Sequence, residues 1–287
     1  MADHPPDADG PFDTAAALAE TLAFLELRRD PDADPEHDDA DRGDQWIADT
    51  PDWFGAVLFG GFAISQAIMA ATRNAPEGRR LHSLHAYFLR PVIGGKTLSF
   101  RVRTLREGRS FTSRRVEASQ GGKPALDMTC SFTADTDGYV YDLPGRRDVP
   151  SFDEVEREEG EGPWVAGIVG PTPAAADGTR ESTHRMWMRI PHRLPDDEHL
   201  HAALLGFATD WTETGGRPLH LDGDITGMVS LDHAVWFHRP ARADEWLYYD
   251  AHSLVNAGGR GMLRGTIRDT EGRVVISVAQ EMLLTPV

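Results

Sequence analysis

The sequence predicts an α+β chain in which one unit, a helix followed by an antiparallel meander, occurs twice, with the two copies merged into one extended sheet. Three observations predict it. Apolar segments at residues 53–72 and 199–210 each precede four stretches with strand-like alternation. Matches between the copies keep step: Phe88-Leu-Arg90-Pro91 with Phe237-His-Arg239-Pro240 at an offset of 149, Arg114 with Arg264 and Gly122-Lys123 with Gly272-Arg273 at 150, and Gly108-Arg109 with Gly259-Arg260 at 151. Finally, the first apolar segment carries no polar stripe, as expected for a helix enclosed by a small sheet curling around it.

Residues 1–44 hold 14 acidic and 3 basic side chains and read as an acidic segment. Within it, residues 14–27 (TAAALAETLAFLEL) recur at helical spacing, with Thr14 as N-cap. Residues 30–44 read as a loop. The first unit covers residues 45–133. Its helix, interrupted only by Ser65 and Gln66, is borderline in length for a membrane span, but its glycines and the lack of a basic flank favour a buried helix. Asn74-Ala75-Pro76 stops it. Strands are expected at 81–91, 97–107, 110–119 and 124–133, divided by turns such as Gly94-Gly95 and Gly121-Gly122. Residues 134–194 are rich in Pro, Gly and clustered acids and read as a connection. The second unit covers 195–287. Acids lead into the helix at 199–210, where the dipole favours them, and strands follow at 227–239, 245–254, 261–268 and 274–284.

With 287 residues, 40% of them hydrophobic, the chain can bury a substantial core. Its net charge of −17 argues against a nucleic-acid or anionic-membrane surface. The single cysteine, Cys130, excludes an internal disulfide and a CxxC site. An acidic, Pro-rich start unlike a secretory leader, together with that lone cysteine, leads us to expect a cytoplasmic protein.

Several blocks, in one order across residues 53–284, resemble the TesB-like acyl-CoA thioesterases, the type II double-hotdog enzymes. In the first unit they are Phe59-Gly-Gly61…Gln66-Ala67, His82-Ser-Leu-His85-Ala-Tyr-Phe-Leu-Arg-Pro91 and Gly108-Arg-Ser-Phe111…Arg114-Arg-Val116. In the second they are Ser230-Leu-Asp-His233…Trp236-Phe-His-Arg-Pro240, Glu245-Trp-Leu247, Gly259-Arg-Gly261…Arg264-Gly265 and Ala279-Gln-Glu281.

The resemblance implies hydrolysis of medium- or long-chain acyl-CoA to fatty acid and CoA, with no cofactor besides the CoA of the substrate, in a homodimer or larger assembly. It also implies three catalytic residues: Asp210 to orient a water and accept its proton, Ser230 to bond water or carboxylate, and Gln280 to fix the water through its amide. Read from the residues alone, Asp210 ends a helix, Ser230 is a strand hydroxyl and Gln280 pairs across a sheet. At the repeat offset Gln280 falls on Cys130, so one active centre per chain is expected. Phe62 stands where the family has a Gln, and Ser230 where it often has Thr. Arg109 and Arg260, each after a glycine at a strand end, are expected contacts for CoA phosphate.

Other readings remain open. Thr214-Gly-Gly-Arg-Pro-Leu-His220-Leu-Asp222 resembles a hotdog hydratase or dehydratase motif, with Gly216 and Arg217 departing from it. A non-catalytic acyl-CoA-binding protein on the same fold is a further alternative. No G-x-S-x-G elbow supports an α/β-hydrolase. His82 and His85 face opposite sides of a strand, and His233 and His238 read as core or hydrogen-bonding residues, so no metal site is expected.

Overall fold

The computed structural model describes residues 13–31, 33, 43–52, 57–73, 75–134, 138–142, 149–155, 157–159, 162–169, 183–211 and 225–286. Helix α1 (Thr14–Phe24) begins one residue earlier than expected, because Asp13 rather than Thr14 accepts the backbone N–H groups of Ala15 and Ala16, both at 3.0 Å. Strands β1 (Arg28–Arg29) and β2 (Asp44–Ala48) follow. Helix α2 (Gly60–Thr72) is shorter than the apolar run that announced it. Residues 57 and 58 are extended instead: Val57 bridges Ile93, and the Leu58 N–H donates to the Val92 carbonyl at 2.8 Å.

The first meander is β3 (Arg80–Phe88), β4 (Leu98–Glu107), β5 (Phe111–Gln120) and β6 (Lys123–Thr133). Gly121 and Gly122, at φ of 56° and 76°, make the two-residue β5–β6 turn that only a left-handed backbone can close. The second unit has helix α3 (Glu198–Thr209) and the meander β10 (Ile225–Phe237), β11 (Leu247–Ala257), β12 (Arg260–Arg268) and β13 (Val274–Pro286).

The stretch 134–194, read as a connection, also supplies β7 (Arg157–Glu159), β8 (Val165–Ile168) and β9 (Thr183–Arg189). Its alternation is hidden because β9 is covered on both faces. Met186 and Met188 enter the main core, while Trp187 packs outward on Phe152, which stacks on Trp246 with centroids 5.1 Å apart.

Among the described residues the thirteen strands form one sheet, ordered β1-β2-β4-β5-β6-β3-β10-β13-β12-β11-β9-β8-β7. Read outward from the β3–β10 seam, both directions follow the same plan. β9 lies beside β11 as β2 lies beside β4, so part of the presumed connection belongs to the repeat. At the seam His85 pairs with Ala234, and these residues are also 149 apart. The pseudo-twofold axis relating the units therefore passes through this pair. This is the double-hotdog arrangement.

The sheet alone does not enclose α2, contrary to expectation; α3 completes the shell. The helices run antiparallel and close together: a Cβ added to Gly206 would meet Ile68 at 2.5 Å, and one on Gly61 would meet the Phe207 carbonyl oxygen at 2.5 Å. Residues 61–68 of α2 are buried without interruption. Phe62, Ile64 and Ile68 each contribute about 1.5–3 kcal/mol of burial. The two polar residues of this run donate to backbone carbonyls within the protein. Ser65 donates to the Ala203 carbonyl at 2.7 Å, and the Gln66 amide donates to the carbonyls of Phe24 and Asp49, each at 2.8 Å. No helix among the described residues is long and apolar enough to cross a membrane.

Gly61→Ala should lower stability by about 1–3 kcal/mol, because the new methyl meets backbone that cannot rotate away. Urea unfolding reads the loss as a lower midpoint, with Gly138→Ala, which meets nothing within 4 Å, as an unshifted control.

Candidate active site

α3 starts with Asp197, whose carboxylate accepts from the N–H groups of His199 and Leu200 at 2.9 and 3.2 Å. It ends at Asp210, whose own N–H donates to the Phe207 carbonyl at 3.2 Å. A carboxylate at this end faces the negative pole of its helix, so helix stability does not explain it. The neighbouring helix does offset it. Because α2 is antiparallel, its N-terminal glycines lie against Asp210, and a Cβ on Gly60 would stand 2.7 Å from Oδ2. The acid thus sits at the positive pole of α2.

Ser230 and Gln280 come from β10 and β13. The ladder shifts between Ser230, which pairs with Met282, and Asp232, which pairs with Glu281. This bulge re-aims Ser230 toward Gln280. Gln280 is fully buried and donates from Nε2 to Asp210 Oδ1 and to Ser230 Oγ, both at 2.6 Å; Ser230 Oγ donates to Asp210 Oδ1 at 3.3 Å. The three residues expected to be catalytic are therefore brought together, across 70 residues of sequence between Asp210 and Gln280.

Behind them, the Tyr249 hydroxyl donates to the Thr209 carbonyl at 3.0 Å, and burial, with the Asp210 charge beside it, pushes its ionisation far above the usual range. His233 lies directly across the ladder from Gln280 and 2.8 Å from the Thr209 hydroxyl. Burial lowers its pKa to about 4, against a smaller opposing effect of the Gln280 amide, so the ring is neutral near pH 7.

The first unit has the same frame with other contents. Leu84, Cys130 and Arg114 occupy the ladder positions that His233, Gln280 and Leu263 occupy in the second. Burial raises the Cys130 thiol to about 12, so it is a packing residue. Arg114 is buried and donates to the Ala71 carbonyl at 2.6 Å. Its sequence match, Arg264, is exposed on the other side of the sheet. One residue of slip within the repeat reverses the face.

Arg109 and Arg260 do not join the cluster. Arg109 is exposed near the β4–β5 turn, and Arg260 is paired with Glu281 at 3.0 Å. A cavity of about 740 Å³ bordered by Trp187, Tyr248, Asp250, Arg264 and Arg268 opens on the sheet face opposite Gln280. Phe62 is buried in edge-to-face contact with Phe24 and Phe207, at 6.1 and 6.2 Å. The hydratase-like stretch 214–222 lies outside the described residues. His233, read as a core or hydrogen-bonding residue, is both: it is buried and lies 2.8 Å from the Thr209 hydroxyl.

Comparison with known proteins gives two family matches, the acyl-CoA thioesterase N-terminal domain over residues 50–133 and the acyl-CoA thioesterase C-terminal domain over residues 131–284. Human acyl-coenzyme A thioesterase 8 is 28% identical over 304 residues, covering 95% of this chain and 90% of that protein. The crystal structure of the acyl-CoA thioesterase II TesB2 of Mycobacterium marinum is 30% identical, with a TM-score of 0.77 over 93% of this chain and 98% of that one. A TesB protein of Mycobacterium avium subsp. paratuberculosis is also 30% identical, with a TM-score of 0.79 over 94% and 100%.

His184 is likewise held by burial at a pKa of about 4. Between pH 6.5 and 4 the unfolded chain binds protons that these two folded histidines refuse, so stability present above about pH 6.5 is lost as pH falls toward 4. Each histidine should contribute a slope of up to about 1.4 kcal/mol per pH unit in that window. Urea unfolding at pH 7 and pH 5 measures the slope, and His184→Leu should flatten it.

Proposed function

We propose, for a chain that belongs to the TesB-like acyl-CoA thioesterase II family, that hydrolysis is carried out by water activated at Asp210. The protein is a thioester hydrolase. In our reading its substrates are medium- or long-chain acyl-CoAs. The buried bond of 2.6 Å from Gln280 Nε2 to Asp210 Oδ1 carries the assignment, since it joins the end of α3 to the last strand in one unit and has no counterpart in the other.

Gln280 and Ser230 hold Oδ1, which leaves Oδ2 turned toward the start of α2. A water bonded to Oδ2 attacks the thioester carbon and gives its proton to Asp210 as the new C–O bond forms. The carbonyl oxygen becomes an oxyanion, which the backbone N–H groups at the N-terminus of α2 are suited to receive. Collapse breaks the C–S bond, and the departing thiolate takes the proton from Asp210, so fatty acid and CoA thiol are released without an acyl-enzyme. Self-association also belongs to this reading. Exposed Val229, Leu254, Val255 and Leu283 at one end of the second unit's sheet support it.

Free-thiol release from acyl-CoAs of graded length tests the assignment. Asp210→Asn should keep the fold and lower kcat by about 10²–10⁴-fold, and undiminished turnover would overturn the role of Asp210. Hydration of an enoyl-CoA without thiol release would favour a hydratase, and binding without turnover a carrier. Phe62→Ala, which removes a ring packed on Phe207 next to the glycines of α2, should shift the preferred acyl length upward in the same assay.

A further inference from the structure

Tyr249 is fully buried on β11 and takes no part in the chemistry described above. Its hydroxyl donates to the Thr209 carbonyl at 3.0 Å. That carbonyl and the Asp210 N–H belong to one planar peptide unit. The N–H end is held as well, by the Phe207 carbonyl at 3.2 Å. The plane from which the Asp210 side chain departs is thus pinned twice, once by its own helix and once by the sheet.

The second pin is needed because the helix is ending. Asp210 is the C-cap, and its N–H reaches back three residues rather than the four of a regular turn. The Gly206 carbonyl, which a regular turn would give to that N–H, takes the Thr209 hydroxyl at 2.7 Å instead. The Thr209 carbonyl is one of the last four of α3, which have no donor within the helix. It also lies at the negative pole beside Asp210, where a bare carbonyl oxygen would repel the carboxylate. Burial and the Asp210 charge keep the Tyr249 hydroxyl protonated, so it stays a donor at neutral pH.

The first unit supplies an independent observation. Tyr249 pairs with Ile267 and Met186 on its neighbouring strands, and Phe100 pairs with Ala118 and Trp46 on the corresponding ones. Tyr249 and Phe100 are 149 residues apart, the spacing that the central pair of the seam also keeps. Both rings are buried, and they differ by one hydroxyl. The helix of the first unit ends on Arg73 at its C-cap, where α3 ends on Asp210. A phenyl ring therefore fills this place in the frame, and the hydroxyl occurs in the unit whose helix ends in the carboxylate.

We infer that Tyr249 is a positioning residue: its hydroxyl holds the Thr209–Asp210 peptide and offsets the carbonyl beside it, so that the Asp210 carboxylate stays aimed at the attacking water. Gln280 and Ser230 fix the same acid from its side-chain end. The inference rests on the hydrolytic reading of Asp210, and Tyr249 acts only through the backbone.

The test is Tyr249→Phe, which gives the second unit the ring of the first, made in the wild type and in Asp210→Asn. Thiol release is followed with enzyme in excess, so that slow variants remain measurable, and well below the thermal midpoint of each variant. Tyr249→Phe should lower the maximal rate by about 10-fold and leave the half-saturating concentration within about twofold. In Asp210→Asn, where no carboxylate remains to be aimed, the same change should cost less than about twofold. An equal loss in both backgrounds, or a loss confined to half-saturation, overturns the inference. An unchanged maximal rate with a lowered thermal midpoint overturns it in favour of a helix cap. A normal Tyr249→Phe beside an impaired Asp210→Asn removes this assignment alone, whereas a normal Asp210→Asn removes the hydrolytic reading and this assignment with it.

Discussion

The antiparallel approach of α2 and α3 is the constraint on which the rest of the molecule depends. Gly61, Ser65 and Gly206 at the crossing let the backbones come close enough for each helix to cover the flank that the sheet leaves open. The same crossing brings the C-terminal end of one helix to the N-terminal end of the other. A carboxylate that would be disfavoured by its own helix is thereby set against the opposite pole of its neighbour. Packing and electrostatics at Asp210 therefore have one origin.

The two units show how a shared frame takes different chemistry. His233, Gln280 and Leu263 in one correspond to Leu84, Cys130 and Arg114 in the other, and each set is internally consistent. In the second unit Gln280 belongs to a hydrogen-bonded cluster with Asp210 and Ser230. In the first, an apolar pair is backed by an arginine whose guanidinium reaches a helix carbonyl.

Much of this was legible in the sequence because periodicity and the internal repeat report burial directly. The eight strands of the two meanders lie where alternation put them, with ends moved by only a few residues as caps and turns dictate. Residues 57 and 58 were misjudged because an apolar composition does not distinguish helix from extended chain. β9 went unseen because Phe152 covers its outer face and erases the alternation. The Arg114–Arg264 match failed because offsets between 149 and 151 cannot resolve a slip of one position. The proximity of Asp210 to Gln280 is a tertiary fact with no local signature, and it was anticipated only through family resemblance.

The site draws Gly60 from the first unit and Asp210, Ser230 and Gln280 from the second, joined through one continuous chain and a seam whose central pair is self-equivalent. Were the units separate polypeptides, the same contact would form only by association, and its occupancy would follow a dissociation constant. Covalent fusion makes the encounter intramolecular, so the pocket stays assembled at any dilution and the two units can carry different side chains on one frame.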